Sequence, residues 1–191
     1  MSVIVNTLGP EGTDSYRATV HWLKKMGVGN YKINIFESYE ELFENLKQCQ
    51  YIVMPAGYMN RKNKEMSSWV DFHFGYYSKL EFVDVFPLKV MKMIFVENKN
   101  YDKKGIVVQS ATCQFAKTEE NYNEHFIYAN SKPQALQIFL DESYHYTLCS
   151  EPVFKRKNPD PSQYIIKHEY NPVMIWVVYK VNMERNKTNE C

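Results

Sequence analysis

The feature that most constrains this chain is the alternation, from its first residues, of short apolar runs with capped amphipathic segments. Val3–Leu8 reads as a buried strand. Tyr16, Val20 and Leu23 then fall at i, i+4 and i+7, with Trp22 and Met26 widening the stripe, so a helix runs to Gly27 or Gly29. Lys32–Phe36 alternates as a strand. Ser38, with Glu41 three residues on, opens a second helix with a capping box, and Tyr51–Met54 is a third strand halted by Pro55. A β-α-β-α-β series of this kind builds a parallel sheet with right-handed crossovers.

The middle is less regular. Trp69–Tyr77 is aromatic and reads as a helix, Phe82–Pro87 and Lys89–Val96 as two strands interrupted at Pro87, and Glu97–Gly105 as a loop. Alternation resumes with strand Ile106–Gln109, a helix over 112–122 and strand Phe126–Ala129. Ser131 and Gln134 then form a capping box, with Pro133 in the first turn of a helix running to Ser143. Tyr146–Cys149, Tyr164–Glu169 and Val173–Val181 complete the strands. Two β/α lobes follow: residues 1–88 with 165–183 returning to them, and residues 89–164, with a frayed tail at 184–191. This is the plan of a two-lobed, periplasmic-binding-protein-like α/β fold with a ligand cleft between the lobes.

Composition narrows the function. With 45% apolar and 15% aromatic residues there is ample core material, while a net charge of +1 gives no long-range pull toward nucleic acid or an anionic membrane. No apolar run approaches the ~20 residues of a membrane helix, and the first residues lack the basic start and apolar stretch of a signal peptide, so a cytoplasmic location is expected. The four cysteines are scattered and read as free thiols, and the five histidines show no ligand spacing, so no metal and no cofactor is expected.

Small hydroxyl residues recur where strands give way to helices: Thr13 and Ser15, Ser38, Ser110 and Thr112, Ser131, and Ser150. Each alone serves ordinary capping. In a parallel sheet, however, they share the carboxyl edge, where open α/β sheets bind ligands and where helix N-termini favour anions. With no basic cluster in these loops, a small mono- or dicarboxylate fits better than a polyphosphate. In Gly9-Pro10-Glu11-Gly12, Gly9 turns the chain off the strand and Gly12 lets backbone approach a ligand without a Cβ in the way. Neither GxGxxG nor GxxxxGK[ST] is present.

Gly9-Pro10-Glu11-Gly12-Thr13 with Ser15 resembles the GPxGTxS opening of the prephenate dehydratase domain. In order, Tyr51–Pro55 followed by Trp69-Val70-Asp71, Val107–Ser110 with Gln114, Ser131 with Ala135, and Leu148-Cys149-Ser150 resemble later segments of that family. The resemblance implies the two-lobed catalytic-domain fold, a prephenate-like dicarboxylate as small-molecule partner and a homodimer. It leaves no room for the regulatory ACT-type domain. It also implies a substrate-binding set of Gly12, Thr13, Ser15, Gly57, Ser110, Thr112 and Ser131.

The departures point to a branch. After the proline stands Ala56-Gly57-Tyr58 instead of Glu-Asn-Ser. The second lobe has Ser110-Ala111-Thr112 instead of Ser-His-Pro, and Asn171–Trp176 has neither threonine nor arginine where the dehydratases carry Thr-Arg-Phe. In these respects the sequence is more similar to the prephenate decarboxylases of bacilysin-type antibiotic pathways. These share the VNTLGPEGT opening, a tyrosine three residues after the proline (Tyr58) and a replaced Thr-Arg-Phe segment. A lyase that keeps the ring hydroxyl must deliver a proton to a ring carbon as the C1 carboxylate leaves. Tyr58, Glu151 and His73 are the candidates for that donor, and Arg61 or Lys62 for pairing the pyruvyl carboxylate. The alternatives are dehydration to phenylpyruvate and a catalytically silent carboxylate-binding module.

Overall fold

The computed structural model describes residues 2–61, 66–123 and 125–182. Its strands, in chain order, are β1 (Val3–Leu8), β2 (Tyr31–Phe36), β3 (Tyr51–Pro55), β4 (Leu80–Lys89), β5 (Met93–Asn98), β6 (Lys103–Gln109), β7 (Phe126–Ala129), β8 (Tyr144–Ser150), β9 (Tyr164–Tyr170) and β10 (Val173–Val181). Its α-helices are α1 (Asp14–Lys25), α2 (Tyr39–Glu44), α3 (Trp69–Gly75), α4 (Cys113–Glu119), α5 (Lys132–Asp141) and α6 (Glu151–Arg156). The chain divides into two units, the first from Met1–Tyr58, Glu65–Leu88 and Val173–Cys191, the second from Met59–Lys64 and Lys89–Pro172.

In the first unit the sheet order is β2-β1-β3-β10-β4. β1 runs parallel to β2 (Val3↔Tyr31) and β3 (Val5↔Tyr51), and β10 runs antiparallel to β3 (Trp176↔Pro55). The inner strand β1 is covered on both faces and carries two buried polar side chains, each satisfied. Thr7 Oγ1 donates to the Val53 carbonyl at 3.0 Å, and Asn6 Oδ1 accepts from Asn34 Nδ2 at 3.0 Å. Tyr39, Leu42 and Phe43 of α2, Phe72 of α3 and Val177 and Tyr179 of β10 form one core, with the Phe43 and Phe72 rings stacked at 4.6 Å. Truncating one such aromatic to alanine costs about 3–5 kcal/mol.

The second unit has order β7-β6-β8-β5-β9, with β6 parallel to β7 and β8, and β5 antiparallel to β8 and β9. The period of two sorts its core. Ile94, Val96 and Val107 join Leu136 and Phe139 of α5 in one cluster, while Phe95, Ile106 and Val108 join Cys113 and Ala116 of α4 in another.

Several boundaries differ from the sequence reading. Pro87 does not interrupt a strand: β4 runs through it, and the break falls at residues 90–92. β4 ends the sheet, and the Val85 N–H is taken by the Asp84 carboxylate at 2.8 Å, so Pro87, two residues on, has its missing N–H in a row that serves no neighbour. The loop expected over 97–105 shrinks to 99–102, because Glu97 and Asn98 finish β5 and Lys103 begins β6. The strand Tyr164–Tyr170 pairs with β5 in the second sheet, so the return to the first unit begins at Val173, not at 165.

At Ser38 and Ser131 the hydroxyls cap as expected. The side chains of Glu41 and Gln134, however, reach one residue further back, to the Glu37 and Asn130 N–H groups. The reciprocal capping box is at Ser68 and Asp71, which the sequence reading missed. The tail expected to fray, 184–191, lies outside the described residues, as does Lys62.

Candidate functional site

The turn after β1 is built by two glycines with different tasks. Gly9 keeps an ordinary φ, and a Cβ there would lie 1.8 Å from Ile35 Cγ2, so its role is close packing on β2 and not the turn itself. Gly12 has φ +80° with nothing within 4 Å of a built Cβ, which leaves open space above the start of α1. Thr13 occupies the N-cap position (φ −73°, ψ 168°), yet its hydroxyl makes no capping bond. Among the described residues its Oγ1 is buried without a partner, and the Ser15 and Tyr16 N–H groups have no acceptor. The first turn of a twelve-residue helix therefore presents open donors at the positive end of its dipole.

Tyr39 adjoins this turn, and sequence reasoning missed it. It opens α2 fully buried, with the Ser15 hydroxyl and Tyr58 as its polar neighbours. Burial above all, then Tyr58, pushes its phenol well above the usual range. The Tyr39 and Tyr58 rings meet edge to face at 4.7 Å. Tyr58 is fixed by its own backbone: its N–H donates to the Pro55 carbonyl at 3.1 Å and its carbonyl accepts from Trp69 N–H at 3.2 Å. Thus Ser15 and Tyr58 are brought together through Tyr39. Gly57, in the turn before Tyr58, lets Met174 approach: a Cβ there would sit 3.1 Å from the Met174 Sδ and Cε.

His73 is held elsewhere. Trp69 Nε1, a donor only, donates to Tyr179 Oη at 2.9 Å, and the same hydroxyl is hydrogen-bonded to His73 Nδ1 at 2.8 Å. Tyr179 pairs with Ile52, three residues before the end of β3, so this cluster lies about 10 Å along the strand from the edge that carries Tyr58. Burial pushes the Tyr179 phenol up to about 12.

In the second unit, register puts the expected hydroxyls at one edge: Gln109↔Ala129 and Val108↔Leu148 align the ends of β6, β7 and β8. Most of them are engaged with backbone. Thr112 Oγ1 donates to the Gln109 carbonyl at 2.9 Å, and Ser131 Oγ accepts from Gln134 N–H at 3.2 Å. Ser110, nearly buried, accepts from Arg61 N–H at 3.4 Å, and Ser150 Oγ is buried without a partner among the described residues. Glu151 pairs with Lys155 at 2.8 Å and Lys92 at 3.5 Å. Lys155 first, then Lys92, hold its carboxyl below the usual range against the opposing effect of burial. A carboxylate so held is a poor proton donor at neutral pH.

Among the described residues no group of three or more His, Cys, Asp or Glu side chains is placed to hold a metal ion, and no helix is long and apolar enough to cross a membrane. No protein-family model and no curated protein sequence matches the chain. Solved structures do. A prephenate dehydratase from Arthrobacter aurescens, in complex with L-Phe, aligns over 94% of this chain with a TM-score of 0.55 at 14% identity. The chain spans 61% of that dehydratase's length. The periplasmic VFT2 domain of Bordetella pertussis BvgS aligns over 94% of this chain and 80% of its own (TM-score 0.56, 12% identity). An ABC transporter protein from Parabacteroides distasonis aligns over 96% and 68% (TM-score 0.55, 15% identity). At these identities the likeness is one of fold: the chain has a periplasmic-binding-protein-like α/β fold, one it shares with a prephenate dehydratase.

Proposed function

We propose that this protein binds prephenate or a closely related cyclohexadienyl dicarboxylate and removes its C1 carboxylate without aromatising the ring. The observation that carries the binding half is the first turn of α1, with its uncapped N–H groups, the open space over Gly12 and the unpartnered Thr13 hydroxyl. Donors in this arrangement seat a carboxylate without any basic side chain.

In the reaction, the bond from C1 to its carboxylate breaks, carbon dioxide departs, and the electron pair left behind takes up a proton at a ring carbon. The hydroxyl stays, which agrees with Asn171–Trp176 lacking the dehydratase threonine and arginine. Of the three candidate donors we assign the proton to Tyr58, whose ring meets Tyr39 beside the first turn of α1, whereas Glu151 is ion-paired with Lys155 and Lys92 and His73 is hydrogen-bonded to Tyr179. The same reading makes the protein a cytoplasmic homodimer acting in antibiotic-type secondary metabolism.

Those same two engagements favour a second reading, a silent carboxylate-binding module. Purified protein mixed with prephenate decides among the three outcomes. Loss of one carboxylate with no phenylpyruvate supports decarboxylation. Phenylpyruvate formed at a rate abolished by Thr13→Ala supports dehydration. Thermal stabilisation by prephenate with no turnover supports the silent module.

A further inference from the structure

Arg61 is held at two points within the second unit. Its backbone N–H donates to Ser110 Oγ at 3.4 Å, and its guanidinium carbon lies 5.5 Å over the centre of the Tyr128 ring. Tyr128 is itself fixed: it lies on β7, and its hydroxyl meets Cys113 Sγ at 3.4 Å. A guanidinium over an aromatic face is attracted by the ring without spending its N–H donors on hydrogen bonds. Among the described residues no carboxylate pairs with the guanidinium's fork of donors. Arg61 lies beside Ser110 and Tyr128, where β6 and β7 end, the edge at which open α/β sheets take ligands. Ser110 Oγ, having accepted from Arg61, keeps its own O–H to give.

We infer that Arg61 is a carboxylate-binding residue of the second unit, its fork taking both oxygens of a ligand carboxylate while Tyr128 holds the guanidinium plane in place. The inference rests on the reading above for its choice of prephenate as ligand, but the fork recognises any planar carboxylate. Loss of a bidentate, charge-assisted pair weakens binding by about ten- to a hundredfold. Arg61→Lys keeps the charge and loses the fork, so it falls between wild type and Arg61→Gln. Tyr128→Leu frees the guanidinium and weakens binding by less than Arg61→Gln.

The test follows the Arg61 side-chain Nε–H resonance and the Ser15 and Tyr16 amides together in the wild-type protein, titrated with prephenate and separately with succinate. Saturable movement of the Arg61 resonance, reduced in Tyr128→Leu at the same ligand concentration, supports the inference. It does so whether or not the α1 amides move; if they stay still, the α1 seat is what fails. Movement of the α1 amides with a static Arg61 resonance overturns the inference and leaves the prephenate reading intact. No movement at either place with either probe overturns both. Calorimetry on Arg61→Gln gives the affinity change, and an unaltered dissociation constant refutes the assignment.

Discussion

Tyr179→Phe tests whether the group formed by Trp69, Tyr179 and His73 is a support or a piece of chemistry. The substitution removes one oxygen that accepts from Trp69 Nε1 at 2.9 Å and is hydrogen-bonded to His73 Nδ1 at 2.8 Å, and it leaves the ring, buried to 1% exposure, in place. Each neutral hydrogen bond is worth about 0.5–1.5 kcal/mol net, and an orphaned donor adds its own desolvation cost. Trp69 and His73 are only half-buried, so water can reach the freed groups in part. The expected loss is therefore about 1–2 kcal/mol, or about 2–8 °C in melting temperature for a chain of this size. Because the Tyr179 phenol is pushed up to about 12, it stays protonated at working pH. Urea unfolding followed by tryptophan fluorescence measures the loss, and a cycle with Trp69→Phe isolates the coupling. Nitrogen chemical shifts of His73 report which ring nitrogen carries the proton, and they change at Nδ1 in the variant. Unchanged stability with abolished turnover of prephenate refutes the reasoning, because the hydroxyl would then act on substrate and not on its neighbours.

Gly9→Ala places a Cβ 1.8 Å from Ile35 Cγ2 and destabilises the protein by several kcal/mol, and Ile35→Ala in the same chain restores most of that loss in a melting experiment. Glu97 is held below its usual range by Lys167 first, then by His145, so its contribution to stability is full above about pH 4.5 and disappears as pH falls through its lower folded value. Glu97→Gln therefore lowers stability at pH 7 and flattens the acid limb of a stability-versus-pH curve, while a parallel curve for the two proteins contradicts the assignment. Glu151→Gln leaves the rate of prephenate turnover within a few-fold of wild type, since a carboxylate paired with Lys155 and Lys92 is not the proton source. A loss of more than a hundredfold in the rate restores it as a candidate.

The strand and helix order was legible because the apolar periods are clean: Val3–Leu8, Ile106–Gln109 and Val173–Val181 announce themselves by run length, and Ser38 and Ser131 by their position before apolar stripes. The errors share one cause. Whether Pro87 breaks a strand depends on whether that strand has a neighbour on its N–H side, and the unit to which Tyr164–Tyr170 belongs depends on pairing partners some seventy residues away. Neither fact is local. At the candidate site, the opening glycines were found, but Gly9 was assigned a turn when Ile35, on the adjacent strand, is what requires it. Tyr39 went unnoticed because a tyrosine after an N-cap serine looks like any core aromatic. Its significance comes from Ser15 and Tyr58, which the fold carries to it from elements distant in sequence.

The placement of β10 bears on the order in which the protein comes into being. This strand is the last of the ten among the described residues, yet it lies between β3 and β4 and supplies Trp176, Val177, Val178 and Tyr179 to the buried interior. During synthesis the second unit, almost wholly contained in Lys89–Pro172, has its full set of strands while the first still lacks an inner one. The usual N-terminal-first sequence of events is thereby inverted. The earliest-made strands must wait, with the β3 edge unpaired, until residue 181 has left the ribosome, and that interval is when the nascent chain is most exposed to mispairing and to capture by chaperones.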